Sequence, residues 1–515
     1  MVKPAKMTNK QKFLNKLYIF SILCLIVVGM SFNLIKHAEL NDYYYMKATG
    51  DYLITNHFSA EAFHTNPFTV NELDIIIQQW AHCVVLSFVD AYQPLSLIAF
   101  ILFNFVIYFS VLCLYGKVKG FDDLQVLILI AATIFMPIYI ITPRPEILTI
   151  ALLFLQIIIT EQAMKKNQPK LFYLLPLIML FEINFHGSCW IFHYLFLAPY
   201  AVPSVFGNLA IKHSITGKKN FLHLGIATVI MTGAMFINPY GIKMPLYIVN
   251  YLLGKTFTYI KFSEMAPAKT NSPYSFLIYI IWIALAIGIA KKKLRSSTIY
   301  FTLGLTLISL FAPRNHMFLP FPATFIISDF FNGSKSTLDR AKISVKAIIP
   351  TLVALVLLGT LLFFDVKKHV IDENWIDHDG CPKIEAYLSE NIEKDTPVFV
   401  TSSGGSYLEY KGYTNIYMDT RPEVYIKRIN NKKDVLKEYD YYCRRYQEER
   451  ANAGKQTLLM ELLTAKEMEE FIESYQFRYF IVNRYETILL DYLSFSERYE
   501  KIMTEGPYCL FVKKK

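Results

Sequence analysis

From Leu17 to Asp365 the chain alternates long apolar runs with short polar breaks. The runs are roughly 17 to 22 residues long, the length at which a helix rising 1.5 Å per residue crosses a hydrocarbon core about 30 Å thick. A chain of 515 residues that is 54% hydrophobic and 15% aromatic is too apolar for an ordinary soluble protein and too long for one domain. The pattern predicts a polytopic α-helical membrane protein with about 11 transmembrane helices, over 17–35, 93–115, 123–141, 145–161, 171–186, 188–206, 221–238, 273–290, 297–313, 316–331 and 346–364. The first run follows lysines, as a signal peptide would, but no small-residue cleavage pattern follows Phe32. It reads as a retained anchor behind a basic segment, 1–16.

The net charge of +10 does not point to nucleic acid, because the basic excess lies in the apolar part of the chain. If the N-terminal lysines are cytoplasmic, the alternate breaks on that side carry Lys117 and Lys119; Lys165, Lys166 and Lys170; Lys212, Lys218 and Lys219; Lys291, Lys292, Lys293 and Arg295; and Lys335, Arg340, Lys342 and Lys346. That is the cytoplasmic enrichment of lysine and arginine expected of membrane proteins. The opposite face receives a long first loop (36–94), "TPRPE" (142–146), "NFHGSCW" (184–190), "NPYG" with the loop after it (238–272), "APRNH" (312–316) and everything after Asp365. Glu39, Asp42, Arg144, Glu146, His186, Asn238, Arg314 and His316 therefore collect at one face. Glu182 and His186, four apart, share a helix face within a span, where ionisable groups line a cavity or pair with one another.

In the first loop, "YYYMKATGDYLI" has helical spacing with aromatics on one side, "HTNPFT" (64–69) is a turn, and "IIIQQWAHCVVLSFV" (75–89) reads as an amphipathic or re-entrant segment. This loop resembles that of a bacterial group within the GT-C superfamily of polytopic glycosyltransferases, which reads D-x-W-W-H-L-x-T-G, then P-H-T-D-P-F-S, then H-E-W-L. Asp42, Tyr44, Tyr45, Thr49 and Gly50 match the first motif, "HTNPFT" the second and "QQWA" the third. Downstream, "RPEILTIALL" is similar to R-P-Q-L-F-T, "INFHG" to N-L-H-G, "INPYG" to L-N-P-Y-G, "APRNHMFLPF" to A-R-R-F-I-P-L, and "NIYMDTRPEVY" to V-F-I-D-G-R-x-E-x-Y. Met46, Leu40, Gln78 and Gln79 depart from the pattern, so Asp42 lacks the family's usual ionisable neighbours.

The resemblance implies transfer of a sugar from a polyprenyl-phosphate donor to a cell-envelope glycan, lipid or protein on the extracytoplasmic face. Such a reaction needs a carboxylate to take the acceptor's proton and cations to meet the leaving phosphate. Asp42 is the expected base, or Glu39 if the register slips. Arg144 and Arg314, with planar forks suited to phosphate, are the expected cations, aided by His186 and His316. Tyr44, Tyr45 and Trp80 are candidates for stacking on a sugar, the tyrosines alternatively for an aromatic belt at the headgroups. "SSGGSY" (402–407) has neither G-x-G-x-x-G spacing nor a Walker lysine and reads as a strand-to-helix turn, so no nucleotide site is expected. No metal-ligand spacing appears among the seven cysteines, and no metal residues are assigned.

Beyond Asp365 the composition changes to that of a soluble α/β domain, 366–515, expected on the outer face. "TPVFV", "NIYMDT" and "RYFIVNR" read as strands, about 383–391, 432–452 and 465–475 as helices, and the last residues as a hairpin around Gly506. Asp419, Arg421 and Glu423 alternate as on one face of a strand, where they bind an acceptor or form a structural ion pair. The competing function is a non-catalytic GT-C-like protein or carrier that binds or moves lipid-linked glycan. A transporter is expected to show internal repeats and midplane charges, and the sequence shows neither.

Overall fold

Prolines and ionic pairs fix where the helices begin and end. In the computed structural model, Pro145 precedes helix Glu146–Lys165, Pro169 opens the 3-10 turn Pro169–Leu174 ahead of Leu175–Phe185, and Pro320 starts Pro320–Phe331. Each uses proline's preset φ and missing N–H where a first turn loses nothing by them. The structure describes residues 40–71, 73–89, 95–134, 143–201, 218–253, 273–332, 345–365, 375–377, 379–444 and 465–514, with isolated positions among 8–29, at 209 and at 367–368. Part of the expected first span, including 30–35, and Glu39 lie outside these residues.

The chain divides into two compact units. The first, Met1–Ala38, Pro94–Asn238 and Lys261–Glu373, has helices as its regular elements among the described residues. Its main helices are Leu95–Lys119, Asp123–Ile134, Glu146–Lys165, Leu175–Phe185, Trp190–Ala201, Lys218–Ala234, Pro273–Ala290, Ser296–Phe311, Pro320–Phe331 and Val345–Asp365. Among the described residues, Leu95–Lys119 and Glu146–Lys165 are the two helices long and apolar enough to cross a membrane by length and composition. The expected span 171–186 is interrupted by the 3-10 turn, and 188–206 is helical over Trp190–Ala201. An aromatic core forms where Phe154 stacks on Phe321 at 4.2 Å and Phe196 meets Phe321 edge-on at 4.6 Å.

Large apolar side chains also cover this unit's outside. Val229 is 72% exposed, Val356 67%, Phe276 63% and Leu177 61%. The inside holds Glu146, Glu161, Glu182, His186, His193, Arg295 and Asp329, all buried. Lys119 and Arg295, read from sequence as loop cations, are instead partnered inside: both pair with Glu161, and Arg295 Nε lies 2.5 Å from Asp329 Oδ1.

The second unit comprises Glu39–Gln93, Pro239–Ile260 and Asn374–Lys515, so the first loop stands with the C-terminal region. Its sheet has the order β1-β2-β4-β3, with β1 Val398–Val400 parallel to β2 Tyr479–Asn483, and β2 and β3 Tyr499–Glu505 each antiparallel to β4 Tyr508–Lys513. The sheet is mixed, and the expected closing hairpin at Gly506, whose φ of +53° suits glycine, is present. "NIYMDT" forms no full strand. Ile416 makes single parallel bridges, to Val398 on one side and to Thr69 of the first loop on the other. The "HTNPFT" turn thereby extends the edge of the C-terminal sheet, with Val70 N–H donating to Ile416 O and Ile416 N–H to Phe68 O.

Helix Asn41–Thr55 lies against helix Trp80–Val89, and Gly50 permits the approach. A Cβ at residue 50 would sit 2.1 Å from the Cys83 carbonyl oxygen. Gly405, in helix Ser402–Tyr410, is required for the same reason: a Cβ there would stand 2.0 Å from the Met418 carbonyl oxygen. "SSGGSY" is thus the body of a helix rather than a turn.

Candidate functional site

In the second unit, the first turn of helix Asn41–Thr55 carries Asp42, where the helix dipole favours a carboxylate. The helix is anchored at its start by Leu40 N–H donating to Asp379 Oδ2 at 2.6 Å and by Tyr44 Oη donating to the Ile376 carbonyl at 2.5 Å. Tyr43 and Tyr44 are fully buried, and Tyr44 packs edge-on against Tyr407 at 5.2 Å. Neither ring belongs to an exposed aromatic belt, and Tyr44 offers no open face for a sugar. Trp80 packs edge-on against Phe63 at 5.7 Å.

Tyr45 faces a polar centre. Its hydroxyl accepts from Gln79 Nε2 at 2.6 Å, its ring lies 4.8 Å under the Arg421 guanidinium, and burial holds its phenol protonated, with Asp42 next in effect. Gln78 Nε2 donates to Tyr247 Oη at 3.3 Å and reaches Glu423 Oε1 at 3.5 Å. Asp42, Tyr45, Gln78, Gln79, Arg421 and Glu423 therefore come together, uniting first-loop and C-terminal candidates that stand about 380 residues apart in sequence.

Asp419, Arg421 and Glu423 do not share a strand face. Pro422 opens a 3-10 turn, Pro422–Tyr425, and Arg421 folds back on Asp419, with Nε 2.9 Å from Oδ2. Arg421 Nη2 also lies 3.7 Å from Glu409 Oε1. Glu409 is buried, neither of its oxygens has a hydrogen-bond partner, and burial, followed by repulsion from Asp419, raises its pKa well above the ordinary carboxylate value. Arg421 and Asp419 thus form an ion pair beside Glu409, whose charged form burial disfavours. Sequence reading missed Glu409, because nothing local marks a helix residue that meets a turn ten positions later.

The expected phosphate-binding residues lie in the first unit. Arg144, Arg314 and His186 act electrostatically on the buried carboxylate of Glu146 at the start of helix Glu146–Lys165. His316 is buried and bonds the Ser309 backbone carbonyl. Glu182 and His186 do share a site, bridged by Thr149, whose Oγ1 lies 2.7 Å from Glu182 Oε1 and 2.8 Å from His186 Nδ1. Cys189 and His193 join them, and sequence reading passed over both. The signal was the run Glu182, His186, Cys189, His193, spaced four, three and four, which one helical stripe would hold together.

The chain matches no known protein-family model and no curated protein.

Proposed function

We propose that this protein is a multi-pass membrane glycosyltransferase that moves a sugar from a polyprenyl-phosphate donor to a cell-envelope acceptor on the extracytoplasmic face. The observation that carries the reading is the composition of the second unit. Its three pieces, 39–93, 239–260 and 374–515, are hydrogen-bonded or packed into one body, so they occupy the same side of any bilayer. The charge asymmetry of the sequence independently assigns all three to the outside. The apolar exterior and charged interior of the first unit support burial in lipid, since a water-facing surface of that kind is an association hazard.

Within this reading Asp42 takes the acceptor's proton. Arg421 is neutralised by Asp419, so it orients Tyr45 rather than receiving phosphate. The donor phosphate falls to Arg144 and Arg314, around Glu146. A second reading, a non-catalytic protein or carrier that binds lipid-linked glycan, is favoured by Gln78 and Gln79. These neutral amides are engaged with Tyr247 and Tyr45 where the resembled family has a histidine and an acid.

Two experiments test the proposal. Labelling of single introduced cysteines should reach the exposed positions Asp74 and Lys432 from outside and Lys291, Lys292 and Lys293 only from inside; labelling of the latter three from outside overturns the topology. Mass spectrometry of a deletion strain should show a missing envelope sugar and accumulation of its polyprenyl-phosphate precursor. Unchanged glycans and precursors would refute transfer.

A further inference from the structure

The first unit buries two electron-rich atoms against each other. His193 Nε2 and Glu182 Oε2 lie 3.6 Å apart, their side chains are 0% and 1% exposed, and neither atom has a hydrogen-bond donor. The tautomer of His193 follows from its other nitrogen. Gln156 Nε2 donates to the His193 carbonyl at 2.7 Å, which turns its Oε1 toward His193 Nδ1, also at 2.7 Å. An amide oxygen only accepts, so Nδ1 carries a proton, and in the neutral ring Nε2 then presents a lone pair to the carboxylate.

His186 is set the same way. Thr149 gives its single hydroxyl proton to Glu182 Oε1, so His186 Nδ1 must donate to Thr149 and Nε2 is left with its lone pair, 3.9 Å from Cys189 Sγ. Ser188 Oγ also approaches that sulfur at 3.9 Å. Glu182, His186 and Cys189 each bring one donor atom within 4.8 Å of the others. Glu182 Oε2 and His193 Nε2 face each other in this buried site with no hydrogen-bond donor to either, an arrangement that a cation would complete.

We propose that Glu182, His186, Cys189 and His193 form a binding site for a divalent transition metal of the zinc class. A mixed nitrogen, sulfur and oxygen set selects such an ion over magnesium or calcium, which prefer oxygen alone. Ligands at about 2.0–2.3 Å in a tetrahedron stand roughly 3.3–3.8 Å apart, so the widest separation among Glu182, His186 and Cys189 closes by about 1 Å, while His193 lies 3.6 Å from the Glu182 carboxylate. Gln156 and Thr149 supply the outer hydrogen bonds that fix each imidazole. Arg144 and Arg314 also act on His186, and Glu146 balances them. On binding, the metal–sulfur bond replaces the thiol's S–H bond and that proton is released. The ion would tie the end of helix Leu175–Phe185 to the start of Trp190–Ala201 across the 3-10 turn Gly187–Cys189. This site does not depend on the glycosyl-transfer reading.

The test is titration of chelator-stripped, full-length protein in detergent with Co²⁺ alone, followed by competition with Zn²⁺ and Mg²⁺. One equivalent should bind with a thiolate-to-cobalt charge-transfer band and tetrahedral visible absorption, displaced by Zn²⁺ and indifferent to Mg²⁺. Cys189→Ser should abolish the charge-transfer band while the other six cysteines remain, and His193→Gln should weaken binding at least 10-fold. Absence of stoichiometric Co²⁺ in the wild-type protein, a band that survives Cys189→Ser, or equal displacement by Mg²⁺ would overturn the site. Because the wild-type titration decides by itself, misfolding of a variant does not shield the proposal.

Discussion

Helix Glu146–Lys165 takes part in two buried polar clusters of opposite character. Near its end, Glu161 is bonded by Arg295 at 3.0 Å and by Lys119, while Asp329 accepts from the Arg295 backbone N–H at 2.8 Å and from Thr298 at 2.6 Å. Anions there meet cations. Near its start and middle, Thr149 and Gln156 hold two histidines so that their lone pairs face a carboxylate and a thiol. The first arrangement is complete as it stands and serves to hold helices together. The second becomes complete when a cation enters, and that is the difference between a structural pair and a binding site.

The largest effect should come from breaking the complete cluster. Arg295→Met leaves Glu161 and Asp329 without their main partner and should destabilise the first unit by about 3–5 kcal/mol, read as loss of the thermal transition in detergent. Next, Gln156→Leu frees the His193 ring to flip. It should weaken Co²⁺ binding by roughly 10–100-fold and lower the melting temperature of the metal-free protein, because His193 loses two buried hydrogen bonds.

Glu409 in the second unit offers an intermediate case, in which a proton takes the place of a cation. Its folded pKa lies above the ordinary 4.5, so its contribution to stability is intact below about pH 4.5 and is lost as pH rises toward the folded value. Glu409→Gln should flatten the fall in melting temperature above pH 4.5 and remove a carboxylic-acid infrared band. A smaller effect distinguishes the incomplete cluster. In metal-free protein Glu182→Gln supplies an N–H donor toward His193 Nε2 and should raise stability by up to about 1 kcal/mol, whereas in the Co²⁺-loaded protein it should lower it.

What the sequence revealed follows the range of the forces involved. The strands Val398–Val400 and Tyr479–Asn483 and the turn at Gly506 are written in local residue types, and they are legible. The joining of Thr69 to Ile416 is an edge pairing across nearly 350 residues and leaves no local trace. Asp419, Arg421 and Glu423 looked like one strand face because their alternation outweighed Pro422, the residue that turns the chain there. Glu182 and His186 were visible at helical spacing. Cys189 and His193 lay beyond the break at His186 and Gly187, and the residues that fix the imidazoles, Thr149 and Gln156, come from another helix.

The central claim is that Asp42 takes a proton during sugar transfer at the outer face. Asp42→Asn keeps the size of the side chain and removes the proton acceptor, and Glu39→Gln, at the neighbouring acid in the sequence, serves as its comparison. With full-length protein in liposomes supplied with a polyprenyl-phosphate sugar and its acceptor, Asp42→Asn should lower turnover by roughly 100-fold or more with donor binding retained, and Glu39→Gln should leave turnover near that of the unaltered protein. Wild-type turnover in Asp42→Asn would contradict the account.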